Sequence, residues 1–98
     1  MDMLYNVTQI VHGFDPKASV ILYGSRARGD ARIDSDWDIL ILTSFQFNEM
    51  EKKKLLSAIF YLELETDQVI SAIIHSEDYW KSIAITPLFQ NIATEGVR

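Results

Sequence analysis

The stretch LYGSRARGDARIDSDWDILIL, residues 22–42, places a Gly-Ser pair, three arginines and four aspartates between two apolar runs. The run ASVILYG is short and rich in β-favouring residues, which predicts a strand that ends at Gly24. The run WDILIL predicts a second strand that begins at Trp37. Buried strands do not normally enclose so much charge, so the segment between them is the candidate site.

The composition describes an ordinary globular chain. With 98 residues, of which 48% are hydrophobic and 23% charged, we expect a single folded domain over residues 1–98. The net charge of −5 argues against binding extended nucleic acid, whose binders usually carry a basic face. The chain has no cysteine, which excludes disulfides and thiolate metal sites. With neither a secretory signal nor a membrane-spanning run, we expect a cytoplasmic protein.

The remaining elements alternate between helix and strand. Apolar residues at helical spacing predict a helix over residues 2–14, and the capping-box pair Asn48 and Glu51 predicts one that continues to about Tyr61. QVISAII, residues 68–74, predicts a third strand. Two short helices should follow, the first capped by Ser76 and the second by a Thr-Pro pair with Gly96 as its stop. This order predicts an α+β fold with a mixed sheet flanked by helices.

Asp36 and Asp38 are the strongest candidates for chemistry. Side chains alternate along a strand, so these two carboxylates should share one face while Trp37 points to the other. Two adjacent carboxylates repel one another unless a positive charge lies between them. Mg²⁺ supplies that charge through oxygen ligands and keeps substrate phosphates as further partners.

The residues before the pair fit a phosphate-binding turn. Gly24 has no side chain to block the approach of phosphate oxygens, and Ser25 adds a hydroxyl. Arg26 and Arg28 add charge-assisted donors. Each feature alone has an ordinary structural reading, since acidic turns, Gly-Ser pairs and surface arginines are common. The joint pattern, with ten residues between Gly-Ser and Asp-x-Asp, is much more specific.

That pattern is a known signature. The segment GSRARGDARIDSDWD resembles the Gly-Ser, ten residues, Asp-x-Asp motif of the DNA polymerase beta-like nucleotidyltransferase superfamily. The Ala-Arg-Gly and Ser-Asp-x-Asp matches and the short length resemble its minimal nucleotidyltransferases (MNT proteins). The resemblance implies the nucleotidyltransferase fold. It also implies transfer of a nucleoside monophosphate, most often from ATP, with two Mg²⁺ ions and release of pyrophosphate.

The resemblance also assigns roles to residues. Gly24 and Ser25 would hold the β- and γ-phosphates, and Asp36 and Asp38 would ligate the metals. It leaves open whether Arg26 or Arg28 touches phosphate. Arg28 can equally brace the loop through a neighbouring aspartate or the backbone.

This sequence departs from the superfamily pattern at the third carboxylate, which the next strand usually supplies to complete the metal site. Asp67, at the start of the third predicted strand, is the expected catalytic residue and metal ligand, with Glu65 a weaker choice. An alignment on the end of that strand puts the family carboxylate nearer Ser71, which cannot do its work. Alternatively, Asp67 is a turn residue with a purely structural role, since aspartate is common in turns.

Two functions follow from the resemblance. The first is an enzyme that transfers AMP to a hydroxyl on a macromolecular partner, which in this family is commonly a small helical HEPN-domain protein paired as toxin with its antitoxin. The second is a nucleotide-binding or partner-neutralising module whose metal site is incomplete. The sequence leaves the acceptor, the base preference and the oligomeric state open.

Overall fold

Three strands form one mixed sheet within residues 2–96, the part of the chain that this computed structural model describes. They are β1 (Ser19–Tyr23), β2 (Trp37–Thr43) and β3 (Ile70–Ser76), in the order β1-β2-β3. β2 pairs antiparallel with β1 and parallel with β3. The helices are α1 (Met3–Phe14), α2 (Ser25–Arg28), α3 (Glu49–Thr66), α4 (Glu77–Ser82) and α5 (Pro87–Glu95). The predicted α+β fold is therefore confirmed.

Both faces of β2 are buried. Ile39 and Ile41 point to one face and belong to a core cluster with residues of α1 and α3. Leu40 and Leu42 point to the other face, where they cluster with Trp80 of α4 and with α5. A strand covered on both faces is apolar nearly throughout, which explains the run ILIL. Only the first residues of β2 escape this cover, and Asp38 lies there, whereas the polar Thr43 at the other end is buried.

The helix boundaries follow the predicted caps with one exception. The capping box is present, because Glu51 N donates to Asn48 Oδ1 at 2.8 Å and Asn48 N donates to Glu51 Oε1 at 3.1 Å. The prediction that this helix stops near Tyr61 is wrong, since α3 continues to Thr66. No glycine or proline interrupts it, and Leu62 extends its buried stripe. The third strand consequently begins at Ile70, two residues later than predicted.

A buried carboxylate joins α1 to the end of β2. Asp15 is 2% exposed and accepts hydrogen bonds from Ser44 N at 2.7 Å, Ser44 Oγ at 2.9 Å and Lys17 N at 3.1 Å. Burial by itself would raise the pKa of Asp15, but these hydrogen bonds, with a smaller contribution from His12, hold it below its ordinary value. Asp15 therefore fixes the position of the segment that follows β2.

The described helices include none with the length and apolar character that crossing a membrane requires.

Candidate functional site

Gly24 ends β1 and caps the short helix α2 in a conformation that suits only glycine. Its φ of 75° and ψ of −158° lie in a region that other residues essentially do not occupy. A β-carbon at this position would overlap Asp38 Oδ2 and lie 3.1 Å from Asp38 Cγ. The Asp38 carboxylate thus lies directly against the backbone of the glycine turn.

Asp36 immediately precedes β2 and Asp38 is its second residue, and the two side chains lie on the same face of the sheet. The sheet register pairs Asp38 with Tyr23 of β1 and with Ser71 of β3. Ser71 Oγ donates a hydrogen bond to Asp36 Oδ2 at 3.3 Å, so Ser71 adjoins both aspartates. Asp38 is half-buried and Asp36 is exposed, which leaves the carboxylate pair open to solvent. This placement agrees with the strand alternation expected from the sequence.

Tyr23 is a site neighbour that the sequence did not single out. Burial and the negative charge of Asp38 both raise the pKa of Tyr23. Its hydroxyl therefore stays protonated beside the carboxylate pair at neutral pH. The contact depends on the antiparallel register of β1 and β2, and the residue pattern alone does not specify that register.

Arg26 is engaged with the loop that joins α2 to β2. Its Nη2 donates to the carbonyl of Ser35 at 2.8 Å and to that of Ile33 at 3.3 Å. Its guanidinium carbon lies 4.2 Å from the centre of the Trp37 ring, within the range of a cation–π interaction. Trp37 points to the opposite strand face from Asp38, so these contacts direct Arg26 away from the carboxylates. In this structure Arg26 holds the loop.

Arg28 is the last residue of α2, just before this loop. Its Nε is 3.3 Å from Asp30 Oδ2, and both side chains are about half exposed, at 48% and 62%. This is the bracing contact that the sequence left open for Arg28. Ser25 is half-buried at the first turn of α2, beside Gly24.

The structure does not bring Asp67 to the carboxylate pair. Asp67 is exposed and ends α3 in a left-handed conformation, with φ of 54° and ψ of 39°. It precedes β3 instead of opening it, because α3 extends further than predicted. Glu65 lies exposed on α3. Within residues 2–96, no three side chains of His, Cys, Asp or Glu are grouped so that they could hold a metal ion.

The carboxylates of Asp36 and Asp38 fit one divalent cation. Mg²⁺ is commonly held by one or two carboxylates together with substrate phosphates, and Asp36 and Asp38 provide such a pair. The position beside Asp38 on β3 holds the hydroxyl of Ser71, which carries no charge. The described residues therefore do not fit the second of the two expected ions.

A groove of about 240 Å³ lies at the other end of the sheet. His75 lines it, and burial and the charge of Lys52 lower the pKa of this imidazole. His75 shares a strand face with Ser71, but four residues of extended strand separate them by about 13 Å. This groove is separate from the carboxylate pair.

Comparisons with known proteins agree with the fold. The family model described as nucleotidyltransferase domain matches residues 4–94. A relative from Methanocaldococcus jannaschii, named "Putative protein adenylyltransferase MJ0141", is 41% identical over 58 residues. That match covers 59% of this chain and 59% of the relative, so the chain aligns with little more than half of that protein's length.

Solved structures with low identity share the same fold. A toxin–antitoxin crystal structure with AMP-PNP has a TM-score of 0.69 at 21% identity, covering 97% of this chain and 70% of that one. A structure described as "putative minimal nucleotidyltransferase" has a TM-score of 0.65 at 23% identity, covering 96% and 86%. Since the family model spans nearly the whole chain, this protein belongs to the nucleotidyltransferase domain family.

Proposed function

We propose that this chain is a minimal nucleotidyltransferase that transfers AMP from ATP to a hydroxyl on a macromolecular partner. One observation carries the proposal: the carboxylates of Asp36 and Asp38 share an open face directly beside the glycine turn at Gly24. A turn that phosphate can approach and a carboxylate pair that can hold Mg²⁺ are the two parts that binding a metal–triphosphate requires. Family membership and the name of the archaeal relative support the same activity.

The residues divide the work as follows. Gly24 and Ser25 receive the β- and γ-phosphates, and Asp36 and Asp38 hold the cation. When bound, that cation neutralises phosphate charge and favours the departure of pyrophosphate. The acceptor hydroxyl oxygen forms a bond to the α-phosphorus while the bond from this phosphorus to the pyrophosphate oxygen breaks, and the hydroxyl proton passes to solvent. Asp67 has no part in this assignment, because the structure leaves it away from the pair.

The arginines have different roles in this proposal. Arg26 is a positioning residue, because its contacts with Ile33, Ser35 and Trp37 set the path of the loop that leads into Asp36. Arg28 is exposed at the end of α2, and we assign it a contact with a phosphate oxygen in the bound state; its contact with Asp30 is exposed at both ends and contributes little by itself.

The acceptor belongs to a partner protein in this proposal. The family resemblance makes that partner a small helical HEPN-domain protein, with the two acting as toxin and antitoxin in the cytoplasm. The likeness to chains of toxin–antitoxin crystal structures, one of them with AMP-PNP, supports this part of the proposal.

A second candidate is a module that binds nucleotide and neutralises its partner without transfer. Ser71, at the position beside Asp38 on β3, favours it, because a hydroxyl at neutral pH does not take up a proton as a carboxylate can.

An experiment with ATP labelled at the α-phosphate can distinguish the two candidate functions. The parent is incubated with Mg²⁺, labelled ATP and the protein encoded beside it, and ATP affinity is measured by calorimetry. The double variant Asp36→Asn, Asp38→Asn should lose Mg²⁺-dependent ATP binding, and the exposed Asp78→Asn of α4 is the matched control. Label on the partner supports the transferase, and tight binding without label supports the second candidate. Unchanged ATP affinity in the double variant would overturn the site assignment.

A further inference from the structure

We infer that this nucleotide site works with one divalent cation, in place of the two implied by the family resemblance, and that Ser71 is the residue that sets this number. The inference rests on the proposed function, because it concerns the cation that accompanies the nucleotide. It follows from the register of the sheet, the charge of the donors and the location of the other acids.

The register places Ser71 where a second ion needs a ligand. β3 runs parallel to β2, and Ser71 is paired with Asp38. The Ser71 hydroxyl also reaches Asp36, donating to Oδ2 at 3.3 Å. A side chain at position 71 therefore touches the carboxylate pair from the neighbouring strand, and it is the natural place for a third acid.

The charge of the donors limits the number of cations. In two-metal sites the ions lie about 3.5–4 Å apart and need carboxylates that offset their mutual repulsion. Asp36 and Asp38 carry two negative charges, and Ser71 adds none. One Mg²⁺ is satisfied by two carboxylates and the nucleotide phosphates. The hydrogen bond from Ser71 leaves further lone pairs of Asp36 available for that ion.

No other acid of the described residues replaces the missing ligand. Asp67 lies at the left-handed end of α3, and Asp34 is exposed in the loop. Residues 2–96 contain no group of three His, Cys, Asp or Glu side chains able to hold a metal. No other acid within residues 2–96 therefore compensates for the hydroxyl at position 71.

The test is a direct count of bound cations. The probe is Mn²⁺ together with an ATP analogue in which a methylene group joins the α- and β-phosphorus atoms, so that no AMP can be transferred. Equilibrium dialysis at saturating nucleotide gives the number of Mn²⁺ ions per bound nucleotide for the parent, Ser71→Asp and Ser71→Asn. We expect one ion for the parent and for Ser71→Asn, which matches aspartate in size without its charge, and two ions for Ser71→Asp.

The outcomes separate this inference from the proposed function. Two ions in the parent would overturn the inference and leave the proposed function standing. Absence of both nucleotide and Mn²⁺ would overturn both. A folded Ser71→Asp variant that still binds one ion would overturn the role given to Ser71. Circular dichroism establishes whether each variant folds, and the parent count decides the main point without any variant.

Discussion

The carboxylate of Asp38 lies in the space that a β-carbon at Gly24 would fill. This contact joins the glycine turn after β1 to the strand that carries Asp38, so neither can move far without the other. Two physical constraints therefore favour glycine at position 24. The backbone has a conformation that suits only glycine, and the Asp38 carboxylate approaches the backbone closely.

Gly24→Ala should damage both stability and nucleotide binding. The strained backbone conformation costs about 1–3 kcal/mol, and the added β-carbon displaces the Asp38 carboxylate. We expect a lower free energy of unfolding by chemical denaturation and at least a tenfold weaker Mg²⁺-dependent affinity for ATP by calorimetry.

Gly29→Ala is the matched control. Gly29 has a similar φ of 81°, but a β-carbon there would meet nothing within 4 Å. This variant should lose about 1–2 kcal/mol of stability from its left-handed conformation and keep its ATP affinity. Equal losses of affinity in the two variants would show that backbone strain, and not the contact with Asp38, governs the site.

Arg26→Ala should destabilise the loop before β2. It removes the hydrogen bonds to the Ser35 and Ile33 carbonyls and the contact with Trp37, at a cost of about 1–3 kcal/mol. Limited proteolysis should cut the loop faster than in the parent. A variant with parental stability and weaker ATP binding would indicate instead that Arg26 binds phosphate directly.

Arg28→Ala provides the comparison for stability. Its ion pair with Asp30 is exposed at both ends, and such pairs contribute about 0–1 kcal/mol. Loss of this ion pair should therefore lower the free energy of unfolding less than the Arg26→Ala substitution does. A loss as large as that of Arg26→Ala would contradict the distinction between the two arginines.

Asp67→Asn should leave nucleotide binding and transfer unchanged. Asparagine tolerates the left-handed conformation at the end of α3, so the substitution removes the charge and keeps the backbone. A single-turnover assay with labelled ATP checks this. A loss of roughly 10²–10⁴ in the transfer rate, the size expected for removal of a general base, would restore Asp67 as the third carboxylate.

Asp15 should give the fold a specific dependence on pH. Because its pKa in the folded state is below the ordinary value of 3.8, the Asp15 carboxylate stabilises the fold above that pH. The contribution is lost as the pH falls through the folded-state pKa. By chemical denaturation, Asp15→Asn should cost about 1–3 kcal/mol at pH 7 and less at pH 3, which lies below the ordinary pKa of 3.8.

The exposed Asp78→Asn should change stability little at either pH. A cost of Asp15→Asn that is equal at both pH values would show that its charge is not what stabilises the contact with Ser44.

Local patterns in the sequence predicted much of the fold. The shared face of Asp36 and Asp38 follows from strand alternation, and the capping box at Asn48 follows from residue spacing. The end of α3 did not, because helix continuation past Tyr61 depends on burial of Leu62 against the sheet. That error shifted the start of β3 and left Asp67 as the expected third ligand.

The contacts of Arg26 could also not be predicted from local sequence patterns. Arginine in a polar loop is usually exposed, and the carbonyls that it contacts lie seven and nine residues away. Only the folded path of the loop brings them together. The pairing of Ser71 with Asp38 depends likewise on the register between two strands far apart in the chain.

Residues 24–36, which include Gly24, Ser25 and Asp36 of the candidate site, are also the hairpin connection between β1 and β2. The entropy of closing a flexible loop rises only slowly with its length, by about 0.6 kcal/mol per doubling, so a long connection costs the equilibrium little. Its effect falls on folding kinetics, since pairing across a long connection raises the contact order and slows the search for the native strand pair. Shortening this connection would speed folding but would also remove residues of the candidate site. The same segment therefore affects both the folding rate of the domain and the composition of its site.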